Sequence, residues 1–525
     1  MADRSVSQIA SAAGVVSLAT LLSRVLGFVR DMALAWLFGA GMVADAFFAA
    51  FRIPSTLREL LGEGALSAAF IPTFTRTATR EGPAAAWRLV AAVMGTLLVV
   101  LAAVTLLGVL FAPALAGVIA AGFAAEPGKL ELTARLLRLM FPYIFVVGLA
   151  ALFMGILNSL RHFLMPALSP TILNLAMLAG IGLAAHTGSP VPVAVAVLAG
   201  GAGQLLVQVP AAWRRGWRPA LRFAPRDPGV RHIARLMLPG VGGLAITQIN
   251  VVVGTLLASF LAEGSVSAMT YALRLIQFPI GMIGVAIATG ALPVMSEAVA
   301  REAPEELTRA LRDSLRLAVF LTLPAMAGLL VFRVPIVAVL FERGAFTRAA
   351  TSLTAAVLLG YALGLVFYVS NRILAPAFYA MHDTWTPVST GMLAVAVNVV
   401  ASLLLMRPLG AAGLALATAI ASAANFVLLV ARLRGRLGRM GGRDILRGAA
   451  TAGLACLPVV AWGLLAPRVL DVLALDGTLP RVLGLALHVG GAGLLYLGAA
   501  AALRAEELGW TREILTRRRL RRPAA

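Results

Sequence analysis

The chain has 525 residues, 60% of them hydrophobic and only 13% charged, with a mean hydropathy of +0.92. That balance excludes a soluble globular enzyme and specifies an all-α polytopic membrane protein. A net charge of +21 raises nucleic acid as a partner, but the arginines gather at the ends of apolar runs, where topology and anionic-lipid contact account for them without it.

Hydropathy marks about fourteen spans, near 8–38, 43–70, 88–112, 133–157, 164–185, 190–212, 232–260, 265–294, 315–340, 350–374, 387–406, 411–431, 445–466 and 482–503. No signal-peptide pattern precedes the first, so the first helix itself is expected to target the chain. On a helix, the run from Ser17 to Asp31 places Thr20, Ser23, Arg24, Gly27, Arg30 and Asp31 within one sector roughly 120° wide. Leu21, Leu22, Val25, Leu26, Phe28 and Val29 fill the other side. An arginine at mid-membrane costs about 2.5–3.5 kcal/mol, so two on one face imply a water-filled or protein-lined interior.

In the second span, Asp45, Arg52, Thr56, Glu59, Glu63 and Ser67 share a stripe, whereas Arg58 points elsewhere. Pro54, Gly62 and Gly64 can break that register. The eighth span has a third polar face of Ser267, Thr270, Tyr271, Arg274, Gln277 and Gly281. Spans one, two and eight are therefore expected to line a wet, cationic cavity. Two readings stay open for its arginines: structural ion pairs with Asp31, Glu59 and Glu63, or a site for an anionic, phosphorylated ligand, which guanidinium groups suit bidentately. Arg135, Arg138, Arg333 and Arg372 lie near span ends and are expected to snorkel. Prolines that interrupt or flank helices, and the glycine runs Gly200–Gly203 and Gly240–Gly243, suit bent, closely packed helices that rock.

The positive-inside rule orients the spans. One alternate set of loops, tails and span ends holds 29 of the 44 basic residues and the other holds six, which places both termini in the cytoplasm. A short repeat offset by about 222 residues sets Gly41-Met-Val-Ala-Asp-Ala46, Arg52 and Pro72 against Gly264-Ser-Val-Ser-Ala268, Arg274 and Pro293. Six helices per period is an even number, so the copies are parallel. Two six-helix lobes follow, 1–222 and 223–440, with a C-terminal helix pair and basic tail at 441–525.

Enzyme signatures are missing from this pattern. The chain's one lysine, Lys129, follows glycines spaced one residue too far apart for a phosphate loop, and Leu130 stands where Ser or Thr is required. Cys456 is alone and the five histidines lack ligand spacing, so no metal, cofactor or catalytic residue is assigned.

The runs Leu22-Ser-Arg-Val-Leu-Gly-Phe-Val-Arg-Asp31, Ala44-Asp-Ala-Phe-Phe48, Phe51-Arg-Ile-Pro54, Gly62-Glu-Gly-Ala65 with Ser67, and Arg274-Leu-Ile-Gln-Phe-Pro279 resemble the MurJ (MviN) lipid II flippases, as does Arg343-Gly-Ala-Phe-Thr347 more loosely. The resemblance implies the fold of the multidrug/oligosaccharidyl-lipid/polysaccharide exporters, with the C-terminal pair forming a groove for a polyprenyl tail. It implies a transporter of the bacterial cytoplasmic (inner) membrane that moves the undecaprenyl-diphosphate-linked peptidoglycan precursor to the outer leaflet. Partners would be that lipid and membrane lipids, with any cell-wall synthesis protein unnamed. Carried over, the cavity positions fall on Ser23, Arg24, Arg30, Asp31, Arg58 and Arg274, with Asp45 and Glu63 in support; the helical wheel adds Arg52 and Glu59. Alternatives within that superfamily are an exporter of another polyprenyl-diphosphate glycan or a multidrug/cation antiporter. Some members resemble sodium-coupled carriers with acids in spans seven and eleven, but here those spans offer only Gln248, Asn250 and Asn398, which argues against sodium coupling and leaves membrane potential as an alternative drive.

Overall fold

The computed structural model describes residues 2–60, 66–438, 440–465 and 477–510, and every regular element among them is helical. Contacts divide the chain into two compact units, Met1–Ser267 and Ala268–Ala525.

The first unit holds α1 (Ala2–Phe38), α2 (Met42–Leu60), α3 (Leu66–Glu81), α4 (Pro83–Leu110), α5 (Ala112–Ile119), a 3₁₀ turn (Ala121–Ala125), α6 (Lys129–Met140), α7 (Tyr143–Ser159), α8 (Leu164–Thr187), α9 (Val191–Trp213) and α10 (Pro228–Ser259). Breakers set the boundaries. Pro83 opens α4 at a position whose missing N–H costs nothing, and Asp227 caps α10 by accepting from Gly229 N at 2.9 Å, just before Pro228. The core joins Phe70 and Phe74 of α3 to Val90 and Met94 of α4 and to Leu152 and Ile156 of α7. The expected glycine packing is present on α9: a Cβ at Gly200 would come within 2.8 Å of Leu173, and one at Gly201 within 2.6 Å of Tyr143. The packing around Gly240–Gly243 lies outside the described residues.

The second unit continues with α11 (Ser265–Pro279), a π-helical turn (Ile280–Val285), α12 (Ala286–Ala300), α13 (Pro304–Val331), α14 (Arg333–Phe341), α15 (Arg348–Ala362), α16 (Leu365–Ala380), α17 (Trp385–Leu437), α18 (Gly442–Ala455), α19 (Leu457–Leu465) and α20 (Thr478–Ala502). Two expected spans run together in α17, separated by a kink at Gly410, whose φ of 56° only glycine adopts cheaply. The tenth span is α15 and α16, bent by 43°, and the thirteenth is split between α18 and α19. With these breaks counted, the architecture is that of a membrane protein of about fourteen spans. The C-terminal helices pack on α13 through Phe320, Ala327, Cys456, Val459 and Tyr496, whose hydroxyl donates to Phe320 O at 2.7 Å.

Among the described residues, four polar contacts join connections that alternation puts on one side. In the first unit Asp45 meets Lys129, and His162 meets Arg215. In the second, Arg316 meets Glu507, and Asp383 meets Arg436. At that last contact the Thr386 hydroxyl and amide donate to Asp383, and with Arg436 they hold its carboxyl down at about 2. A carboxyl depressed on folding stabilises the fold fully above its ordinary value near 4, and loses that contribution as pH falls toward 2. Thermal melting in detergent between pH 5 and 2 is therefore expected to show an acid loss that Asp383→Asn removes.

Candidate functional site

The first cluster couples α1 to α8. Asn174, a lone amide in an apolar span, donates Nδ2 to the carbonyl of Ser23 at 2.9 Å and accepts from Arg30 Nη1 at 3.0 Å through Oδ1. Asn174 packs over Gly27, where a Cβ would lie 3.5 Å from the amide nitrogen, an ordinary contact. Arg30 also donates Nε and Nη2 to Oδ1 of buried Asp31, at 3.0 and 2.6 Å, and Nη1 to the sulfur of Met177 at 3.8 Å. Four of its five N–H donors are thus engaged, and one remains. Arg24, in the same sector of α1, is exposed and has no hydrogen-bond or ion-pair partner among the described residues. Arg30 and Asp31 neutralise each other, so Arg24 leaves this face with a surplus positive charge.

Asn174→Ala should cost about 2 kcal/mol, since it deletes a hydrogen bond to a charged group and a second one to the Ser23 carbonyl. Melting in detergent is expected to fall, and transport to fall less than in Arg30→Ala.

The second cluster shows what Arg52, Thr56 and Glu59 of the α2 stripe face. Arg52 Nε donates to Thr255 Oγ1 at 3.2 Å, Thr56 Oγ1 donates to Gln248 Oε1 at 3.2 Å, and Gln248 Nε2 donates to Glu59. The stripe therefore packs along α10. Arg58 stands off it, with its side chain 24% exposed and Nη2 3.8 Å from Glu59 Oε1. Glu63, Gly62 and Gly64 lie outside the described residues.

At the other end of α2, Asp45 is buried and saturated. Its Oδ2 accepts from Lys129 Nζ at 3.1 Å and Gly264 N at 2.8 Å; its Oδ1 accepts from Ser267 N and Oγ, both at 2.8 Å. Gly264 and Ser267 frame the first turn of α11, so Asp45 caps that helix from another one. The capping is reciprocal, because Glu263 Oε1 accepts from Met42 N at the start of α2. Both helices start directly after a glycine of the repeat, Gly41 and Gly264, and the latter has φ +86° with Ala40 O where a Cβ would sit. Lys129 is completed by Glu126, at 2.9 and 3.0 Å, and by the ring of Phe123. Lys129, Glu263 and Asn174 escaped the sequence reading. The signals for two of them were an isolated lysine in a chain that otherwise uses arginine, and an isolated amide inside a span.

In the second unit Arg274 is half-buried and donates to Gln277 Oε1 at 3.3 Å. The expected polar face of this helix is divided. Ser267 serves Asp45, and the ring of Tyr271 is buried in an aromatic cluster with Phe341 and Phe346, centroids 5.2 and 5.7 Å away. Arg372, on α16, is exposed, and its Cδ lies 3.4 Å from where a Cβ on Gly284 of the π-turn would be. Asn398 donates to Thr418 Oγ1 at 3.2 Å and accepts from Ser402 at 3.4 Å, a neutral amide–hydroxyl set.

The profile of the family described as "Lipid II flippase MurJ" matches residues 34–474. A "Probable lipid II flippase MurJ" of Vibrio cholerae serotype O1 is 38% identical over 424 residues, covering 79% of this chain and 81% of the relative. The "Lipid II flippase MurJ" of Burkholderia cenocepacia is 35% identical over 423 residues, covering 79% and 82%. Among solved structures, "Lipid II flippase MurJ, inward closed conformation" superposes with a TM-score of 0.79 at 26% identity, covering 95% of this chain and 99% of that one. An inward-facing multidrug resistance MATE transporter matches with a TM-score of 0.65 at 15% identity, covering 80% and 96%, which is a likeness of fold alone. By profile, by relatives and by structure, the chain belongs to the MurJ family of lipid II flippases.

Proposed function

We propose that this multi-pass inner-membrane flippase captures the diphosphate of lipid II on Arg24, Arg30, Arg58 and Arg274, with Arg52 as a further donor, and delivers the headgroup to the outer leaflet by alternating access. The chain is a transporter of the lipid-linked peptidoglycan precursor rather than an enzyme. The observation that carries the binding reading is the pairing on α1 of an anchored guanidinium, Arg30, with a free one, Arg24, in the same polar sector. Arg30, its charge matched by Asp31, supplies one fixed open N–H, and Arg24 supplies both the surplus charge and the mobile bidentate donor that a phosphate needs. Ser23 and Asp31 position that pair; Asp45, Glu59 and Glu63 have supporting roles. Both termini lie in the cytoplasm by the distribution of positive charge, and membrane potential acts on the cationic site at about 2.3 kcal/mol per charge per 100 mV. The lobes are 1–222 and 223–440, and the helices after 441 line a groove for the prenyl tail.

Complementation of a flippase-depleted bacterium, scored with a lipid II accessibility assay, tests the function. Deleting the chain after about Arg443 tests the groove. The truncated protein should insert, bind a short-chain diphosphate analogue and fail to flip the full-length lipid; normal growth would refute the groove. The deletion also removes Glu507 from Arg316 and Tyr496 from Phe320, so insertion and melting must be measured alongside.

A further inference from the structure

Between α9 and α10 the chain crosses residues 217–226 without helix, yet it is firmly clamped. Trp217 is buried against Phe153, with ring centroids 4.9 Å apart. The segment then lies along α4: Arg222 N donates to Ala91 O at 3.0 Å and Ala224 N to Thr96 Oγ1 at 3.4 Å. The backbone of Arg222 rests on Gly95, where a Cβ would come within 2.5 Å of its carbonyl oxygen, so glycine provides the floor of a fitted groove.

The outer side of this strap has a distinct chemistry. Leu221 and Phe223, two residues apart in this non-helical segment, are 66% and 63% exposed. Two arginines nearby are engaged: Arg215 with Ala211 O and His162, and Arg218 with the carbonyls of Trp213 and Trp217. Arg214, Arg222 and Arg226 have exposed side chains whose guanidiniums have no partner among the described residues. The nearest acid in sequence, Asp227, is occupied by Gly229 N. Depth is set by α4, whose exposed aliphatic stripe of Val99, Val100 and Val104 begins within a turn of Thr96. The strap thus sits at the rim of the hydrocarbon belt, with two apolar side chains and three unpaired guanidiniums facing out. That is the pattern of an interfacial anchor.

We infer that the strap is a binding site for anionic phospholipid, distinct from the transported lipid. Leu221 and Phe223 enter the upper acyl layer, and Arg214, Arg222 and Arg226 pair with phosphodiester groups. The leaflet is the cytoplasmic one, a point that rests on the proposed topology. Phe223→Cys in a Cys456→Ser background, labelled with bimane and reconstituted in vesicles, reads the site directly. Spin-labelled phosphatidylglycerol is expected to quench the dye severalfold more than spin-labelled phosphatidylcholine, while aqueous iodide quenches weakly. Converting Arg214, Arg222 and Arg226 to Gln should make the two lipids equivalent. Gly95→Leu, which unseats the strap, should open the dye to iodide. Equal quenching by both lipids with the arginines intact, or iodide quenching like that of free dye, would overturn the inference. Sidedness is read separately by alkylating the same cysteine from either face of the membrane, so a failed topology is distinguishable from a failed lipid site.

Discussion

Arg24→Ala is expected to abolish complementation while leaving insertion and melting temperature unchanged. The side chain is exposed and has no hydrogen-bond or ion-pair partner among the described residues, so the defect is expected to come from what the guanidinium binds. Arg24→Lys should rescue poorly, because an ammonium keeps the charge but loses the planar fork that grips two phosphate oxygens. The comparison that makes this decisive is Arg30→Ala. That change also abolishes transport, but it leaves Asp31 buried without its cation and Asn174 without its donor, so it should destabilise the protein as well, by about 3 kcal/mol. Loss of transport without loss of stability at 24, and loss of both at 30, separates a ligand-facing cation from an anchoring one. If Arg24→Ala flips lipid II at the native rate, the proposed site is wrong.

The sequence carried the helical architecture because apolar length and breakers are local signals. The proline before α4, the Asp-Pro pair before α10 and Gly410 inside α17 all act within a turn of where they stand. The stripe of α2 was legible for the same reason, since Arg52, Thr56 and Glu59 are spaced by the helix that carries them. What such a stripe faces is not local. Arg52 meets a threonine 203 residues away and Arg30 an asparagine 144 away, and no periodicity encodes those distances. Lys129, rejected above as a phosphate-loop lysine, is 1% exposed in the fold and paired with Asp45 across 84 residues, a partner that no local pattern names. What surrounds Tyr271 is likewise not local: its ring packs with Phe341 and Phe346, which no spacing on its own helix encodes.

The Asp45–Lys129 pair is expected to give the largest stability effects in the chain. Lys129→Met removes the cation from a carboxylate that is 1% exposed. Removing one member of a buried pair costs about 3–5 kcal/mol, and because three donors from Gly264 and Ser267 still hold Asp45, the low end applies. Asp45→Asn should be worse despite being isosteric. One amide position must place an NH₂ where Oδ2 now accepts from both Lys129 and Gly264 N, setting donor against donor in a buried site. If the amide turns over, the same conflict arises with Ser267 N, although the Ser267 hydroxyl can turn to accept. The double variant Asp45→Asn with Lys129→Met removes the ammonium from that conflict, so it should be less damaged than the two single losses added together. Chemical or thermal unfolding in detergent measures the cycle. Strict additivity would mean that the ammonium and the carboxylate do not meet in the native protein, and a Lys129→Met variant as stable as the native chain would mean that Lys129 is not buried there.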